Sequence, residues 1–225
     1  MVVDTLAAAR IQIAQEEDFR FADGVEEAGT IENAIQHNLQ NLKNQVSLTR
    51  PIYLVMPLRS ITMINQRIKA LKVLAIGPRT EAEIYTLTAC GFDPANITGV
   101  DLISYSDLID VGDMHALPYP DNSFDVIVMG WVLAYTSTPE VAAREALRVA
   151  RPGAYFAVGC EYTPFSEDQL EAQGSLVAEG GKYRHTDDIL KLFGDQVESV
   201  IFRHEVHPKR IDQPDGIMTI FQIGE

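Results

Sequence analysis

Two chemical devices stand out in this sequence: a turn whose free N–H groups face an anion, and a carboxylate placed to accept hydrogen bonds from hydroxyls. The turn is Gly77-Pro78-Arg79-Thr80-Glu81, which follows the short apolar run Val73–Ile76 and opens a helix. The first N–H groups of a helix lack intrahelical partners, so such a turn can hold a carboxylate or a phosphate. The carboxylate is Asp101, which closes a second apolar run, Ile97–Val100, and lies 24 residues beyond Gly77. That separation is close to the one at which an acid meets ribose hydroxyls in a nucleoside-binding sheet. A nicotinamide-type Gly-x-Gly-x-x-Gly is absent, because Arg79 and Ala82 occupy the later glycine positions.

Further candidates follow later apolar runs, at the end of an open sheet where ligands sit. Tyr135 and Tyr162 are candidates for substrate contact, and Glu161 and His185 for a general base where a substrate must lose a proton. His204 and His207 have no acidic or thiol companion at ligand spacing, and Cys90 and Cys160 are far apart with no third ligand. No metal site is expected, and the two thiols read as buried.

The elements that must position these groups alternate. Val73–Ile76 reads as a buried strand ending at Gly77. Thr80 with Glu83 has the capping-box spacing for the next helix, and Gly91 supplies its stop. Ile97–Val100 is a second strand, and 124–129, entered from the turn formers Asp121-Asn122-Ser123, is a third. A helix opened by Thr138 and Pro139 and closed before Pro152-Gly153 leads to the strand Ala154–Val158. Strand and helix in alternation predict an α/β fold, a mostly parallel sheet with helices on both faces. After a helix from Asp187 to Phe193, stopped by Gly194, the strands 197–206 and 217–223 follow without a helix between them, which predicts an antiparallel hairpin.

The run 111–128, Val-Gly-Asp-Met-His-Ala-Leu-Pro-Tyr-Pro-Asp-Asn-Ser-Phe-Asp-Val-Ile-Val, resembles the class I S-adenosylmethionine-dependent methyltransferases. The match is to the small-molecule, type 11-like group, with its Gly-Asp-x-x-x-Leu-Pro-Phe/Tyr-x-Asp-x-Ser-Phe-Asp signature. Leu147-Arg-Val-Ala-Arg-Pro-Gly153 is similar to that group's helix exit. The resemblance covers about residues 70–160, and the C-terminal hairpin more loosely. It implies a Rossmann-like seven-stranded sheet, S-adenosyl-L-methionine as cofactor, and in-line methyl transfer to a small-molecule acceptor. It also implies that Gly77 approaches the methionine part of the cofactor, that Asp101 binds the ribose, and that Asp113 and Met114 flank the adenine. Gly130 and Trp131 would face the methionine tail and the substrate. These roles make chemical sense, since carboxylates accept from diols and amines and a low-dielectric pocket strengthens such bonds.

Three departures bear on those roles. Ala75 stands where the family carries an acid in the first strand, Arg79 and Glu81 replace its later loop glycines, and only 12 positions separate Asp101 from Asp113. The pocket is therefore expected to be shortened and re-lined. That leaves two readings, an active methyltransferase or a protein that keeps the fold as a binding or assembly partner. Arg79 likewise has two, a guanidinium forked onto the methionine carboxylate or an exposed turn residue.

Residues 1–60 resemble nothing in that family and read as an N-terminal helical cap or lid, with 61–225 as the methyltransferase-like domain. Residues 1–50 hold eight acids, and Ile31, Ile35, Leu39, Leu42 and Val46 form one helical stripe. That stripe packs on the main domain, closes as a lid, or forms a homodimer surface. With 18 Lys and Arg against 32 Asp and Glu, a net charge of −14 disfavours nucleic acid and anionic membrane surfaces as partners. No basic leader and no membrane-length apolar run is seen, so a cytoplasmic protein is expected.

Overall fold

The computed structural model describes residues 19–22, 50–78, 80–166, 168–169 and 183–225. The expected N-terminal stripe and Arg79 lie outside them. In chain order the elements are β1 (Arg20–Phe21), α1 (Arg50–Arg59), α2 (Thr62–Arg67), β2 (Val73–Ile76), α3 (Glu81–Ala89), β3 (Ile97–Asp101), β4 (Ile103–Ser104) and β5 (Ile109–Val111). They continue with β6 (Phe124–Gly130), α4 (Pro139–Val149), β7 (Ala150–Tyr162), α5 (Thr186–Lys191), β8 (Val197–His204) and β9 (Asp215–Ile223).

Seven strands form one sheet in the order β5-β3-β2-β6-β7-β9-β8. The β5, β3, β2, β6 and β7 strands are parallel, and β9 inserts antiparallel between β7 and β8. This is the anticipated α/β architecture with its C-terminal antiparallel pair, β9 inside the sheet and β8 at its edge. The chain order reverses beside β2, with β3 on one side and β6 on the other, and ligands of open α/β sheets bind at such a switch point.

Both faces of the sheet are covered. Leu74, Ile76, Ile127 and Met129 alternate onto one face against Ala142, Ala143, Ala146 and Val149 of α4. Val73, Ala75, Val126 and Val128 go to the other, against Leu54, Val55 and Leu58 of α1 and Ile84 and Leu87 of α3. Strands apolar on both faces need helices on both sides, and that is why these runs read as continuous rather than alternating.

Several local expectations hold in modified form. Thr80 caps α3, its Oγ1 accepting from the Ala82 N–H at 3.2 Å. Glu83 does not close the capping box; its side chain turns inward and is buried. Gly91 at φ 111° ends the helix region and Gly194 at φ 53° follows α5, conformations that favour glycine. Two strands were not anticipated between Asp101 and Asp113. There β4 pairs with β1 and β5 forms the sheet edge, so the shortened link contains strands and a turn. β1 is itself unexpected in a segment with no β-rich run. No helix among the described residues is long and apolar enough to cross a membrane.

Candidate functional site

The carboxyl ends of β2, β3, β5 and β6 meet at the switch point, and their exit residues are those singled out by sequence. Gly77 leaves β2 with φ 71°, and its N–H donates to the Val100 carbonyl at 2.8 Å. That bond seats the β2 exit against β3 one residue before Asp101. A Cβ added at Gly77 would lie 2.6 Å from Val132 Cγ2. The glycine is thus required both by its backbone angle and by the packing of Val132 from the β6 exit.

Asp101 is 8% exposed, and its Oδ1 accepts from the Ile103 N–H at 3.3 Å. Its carbonyl accepts from the Gly112 N–H at 2.9 Å, which holds the loop carrying Asp113 beside it. Helix α3 contributes Glu83, 5% exposed, with Oε1 buried and without a hydrogen-bond partner among the described residues. Burial first, and the negative charge of Asp101 second, push the Glu83 carboxyl up to about 8. At the β6 exit, a Cβ on Gly130 would lie 3.0 Å from Glu83 Oε2 and 3.3 Å from Leu54 Cδ1. A side chain there would therefore crowd the buried carboxyl.

The α3 N-terminus differs from the open anion cradle expected of it. The Glu81 N–H faces the Tyr105 hydroxyl at 3.4 Å and the Ala82 N–H is taken by Thr80. The first turn adds two buried acids, Glu81 and Glu83. Glu81 accepts from Tyr85 Oη at 2.8 Å and from Ser106 Oγ, tying the helix to the loop after β4. Negative side chains complement the positive end of the helix dipole, and they make this end a poor receptor for a second anion.

Asp113 follows β5 and is held by His115. Its Oδ1 accepts from the His115 N–H at 2.9 Å and lies 2.6 Å from His115 Nδ1. The other ring nitrogen, Nε2, is 2.6 Å from Thr136 Oγ1, which also accepts from the Thr138 N–H at 2.9 Å. This chain of bonds couples the loop after β5 to the loop after β6, and the His115 hydrogen bond holds the Asp113 carboxyl below its ordinary value. Met114 packs against the core beside it.

The signature that follows Asp113 is an anchor for this loop. Arg148 of α4 donates to the carbonyls of Leu117 and Tyr119 at 2.9 and 2.8 Å, and to Asp121 and Glu145. Glu145 in turn accepts from the Leu117 N–H at 2.9 Å. Tyr119 meets Phe124 edge to face and donates to Asp110, while Asp125 accepts from the Lys72 N–H and from Arg151. A planar fork serving several acceptors suits Arg and not Lys.

Other sequence candidates have different surroundings. Trp131 is 8% exposed with φ 61°, a rare angle for a bulky residue. Its backbone N–H donates to the Gly159 carbonyl at 2.8 Å, and its ring lies against Gly159 and Gly216, so the indole is wedged among core groups of β7 and β9. The Tyr162 hydroxyl donates to the Ile211 carbonyl at 2.7 Å, and the Arg184 guanidinium sits over its ring. Glu161 lies at the carboxyl end of β7, opposite Gly216, and Tyr135 ends the short turn after β6. His185 is the N-cap of α5, its side chain 74% exposed and 3.7 Å from Glu205. The end of β8 nearby is four strands from β2, or roughly 19 Å at the usual strand spacing. The structure thus gathers Gly77, Asp101, Asp113 and Gly130, and leaves His185 at the edge.

Sequence reasoning missed Glu83, His115 and Thr136 as site residues. The local signal for His115 was its place two residues after Asp113. Glu83 carried only a capping signal.

A family model described as a methyltransferase domain matches residues 74–158. A ubiquinone/menaquinone biosynthesis C-methyltransferase of Hahella chejuensis is 32% identical over 106 residues, 41% of this chain and 43% of that protein. The chain thus spans less than half the length of the curated relatives it matches. In fold it is similar to a chain of the complex between the Haloferax volcanii Trm112 methyltransferase activator and its methyltransferase (TM-score 0.58, 14% identity, 90% of this chain and 100% of that one). It is also similar to the [4+2]-cyclase SpnF (TM-score 0.52, 16% identity, 76% and 81%). At these identities the solved structures speak to the fold alone. Residues 74–158 thus match a methyltransferase domain, and they lie in the seven-stranded sheet whose signature loop is anchored on Arg148.

Proposed function

We propose that this protein binds S-adenosylmethionine at the switch point and transfers its methyl group to a small-molecule acceptor. The observation that carries this reading is the buried Asp101 at the end of β3, flanked by the Gly77, Gly112 and Gly130 exits. The residues suit such a ligand: a carboxylate for the ribose diol, the loop of Asp113 and Met114 for the base, and an orphaned buried carboxyl, Glu83, for a positive group. When bound, S-adenosylmethionine supplies an electrophilic methyl group on a sulfonium.

The chain's own part is positioning. Asp101 orients the ligand, the Asp113–His115–Thr136 chain keeps the adenine-side loop in register with the β6 exit, and Leu54 with Trp131 keeps that side dry. Alignment of an acceptor for in-line displacement supplies much of the rate without a protein nucleophile. Where the acceptor must lose a proton, Glu161 at the end of β7 is the better placed base, because His185 is exposed on α5. Tyr135 and Tyr162 are assigned to the acceptor side. Arg79, in the turn after Gly77, is assigned to the carboxylate of the ligand.

We assign the segment before α1 to a cap over the strand ends. Supporting this, β1 pairs with β4 directly after Asp101, the Ala22 N–H donates to the Leu102 carbonyl at 2.9 Å, and Arg20 donates to Ser104 Oγ and the Ser106 carbonyl. The acidic surface is consistent with a neutral or cationic acceptor and opposes nucleic acid. The names of the curated relatives make a quinol-type ring carbon the first acceptor to assay.

Calorimetry with S-adenosylmethionine and S-adenosylhomocysteine tests the binding half, and transfer of labelled methyl to a panel of small acceptors tests the chemistry. Binding with saturable transfer is the expected result. Failure of both ligands to bind at millimolar concentration overturns the reading.

A further inference from the structure

We propose that Glu83 is the receptor for the positively charged group of the ligand, and that it carries a proton which the arriving cation displaces. This rests on the reading of the switch point as an S-adenosylmethionine site, and it assigns a role to a helix residue that the signature does not include.

Glu83 is 5% exposed and its Oε1 is buried with no hydrogen-bond partner among the described residues. Buried acceptors in folded proteins are nearly always paired, so an orphaned one marks a place for a missing donor. The elements packed around it offer none. From β3 comes Asp101, of the same charge; from β6 comes Gly130 and from α1 Leu54, neither of them titratable. On its own helix Glu81 is already engaged by Ser106 and Tyr85. No described residue brings a positive charge to it.

An ionised carboxylate in that setting is costly, so the free protein keeps the group neutral by protonation. A cation entering between Glu83 and Asp101 reverses the balance. The carboxyl loses its proton to solvent as the cation arrives, so one positive charge replaces another and the buried charge of the site stays constant. Two groups of the ligand qualify, the ammonium of its amino-acid end and the sulfonium. S-adenosylhomocysteine retains the first only, and adenosine has neither.

The test is calorimetry at pH 6.0–7.5 in pairs of buffers with different ionisation heats. S-adenosylmethionine is expected to release about one proton on binding, with affinity rising by up to about tenfold per pH unit; S-adenosylhomocysteine does the same where the ammonium is the group and not where it is the sulfonium, and adenosine binds with no proton release and no pH slope. Glu83→Gln, which keeps shape and removes the titration, should abolish both the release and the slope, with the fold checked by circular dichroism. Loss of affinity for S-adenosylmethionine and S-adenosylhomocysteine alike assigns the ammonium; loss for S-adenosylmethionine alone assigns the sulfonium. Binding of S-adenosylmethionine without proton release in the unsubstituted protein, or release that persists in Glu83→Gln, overturns the proposal and leaves the function intact. If none of the three ligands binds, the functional reading fails and this proposal with it.

Discussion

His115 and Asp113 form a closed local unit: the carboxylate oxygen that accepts from the His115 N–H lies 2.6 Å from the Nδ1 of the same residue. A ring that donates from Nδ1 to Asp113 can accept at Nε2 from the Thr136 hydroxyl, so one tautomer serves both contacts. His115→Ala should leave Asp113 and Thr136 short of a partner and cost about 1–3 kcal/mol of stability, read from urea denaturation. It should also weaken adenosine binding. Full stability in His115→Ala would show that the bridge is incidental.

The same bridge has a pH signature. The folded-state value of Asp113 is lowered, chiefly by the His115 hydrogen bond. Its stabilisation is therefore present above the ordinary value of 3.8 and is lost as pH falls through the folded value. The stability difference between the native chain and Asp113→Asn should be level from pH 7 to about pH 4 and shrink below it.

Glu83 has the opposite sign. Its carboxyl is raised from 4.5 to about 8, so between those values the folded protein holds a proton that the unfolded chain has lost. Its contribution to stability falls as pH rises through that window, by at most about 1.4 kcal/mol per pH unit. Glu83→Gln should match the native chain near pH 4.5 and become progressively more stable toward pH 8. Denaturation curves that keep a constant offset across that range would contradict a neutral Glu83.

Asp101→Ala removes a charge-assisted bond to the ribose diol, which is worth about 1.5–3 kcal/mol. Affinity for S-adenosylhomocysteine and adenosine should fall together by about tenfold to a hundredfold. Unchanged calorimetric affinity in a folded variant would remove Asp101 from the site.

Arg148→Lys should behave almost as Arg148→Ala. A point charge cannot serve the Leu117 and Tyr119 carbonyls together with Asp121 and Glu145. Both variants should lose about 1–3 kcal/mol and release the loop that carries Asp113. Proteolytic cleavage within 113–123 should then be faster in both, and a Lys variant as resistant as the native chain would refute the multidentate role.

How much of this was legible beforehand follows from the range of the forces involved. The strands β2, β3, β6 and β7, the cap at Thr80 and the stops at Gly91 and Gly194 rest on local propensity and backbone sterics, and these are written in neighbouring residues. Asp101 was legible for the same reason, being the residue that ends a strand at a spacing fixed by one intervening helix. β5 was missed because three residues, Ile109-Asp110-Val111, hold too little pattern to distinguish an edge strand from a loop.

Tertiary structure decided the rest. The sequence determined that the last two strands pair with each other, since no helix lies between them. That β9 enters between β7 and β8 was decided by which edges each could cover. The sequence presented Glu83 as a capping residue and His115 as part of a signature. Only the packing of α3 beside the β3 and β6 exits buries Glu83 next to Asp101 and Gly130, and only the approach of the two exit loops brings Thr136, 21 residues onward, to His115. Burial and charge are properties of that assembled environment: a carboxyl has its ordinary value in the extended chain, and the fold alone raises it.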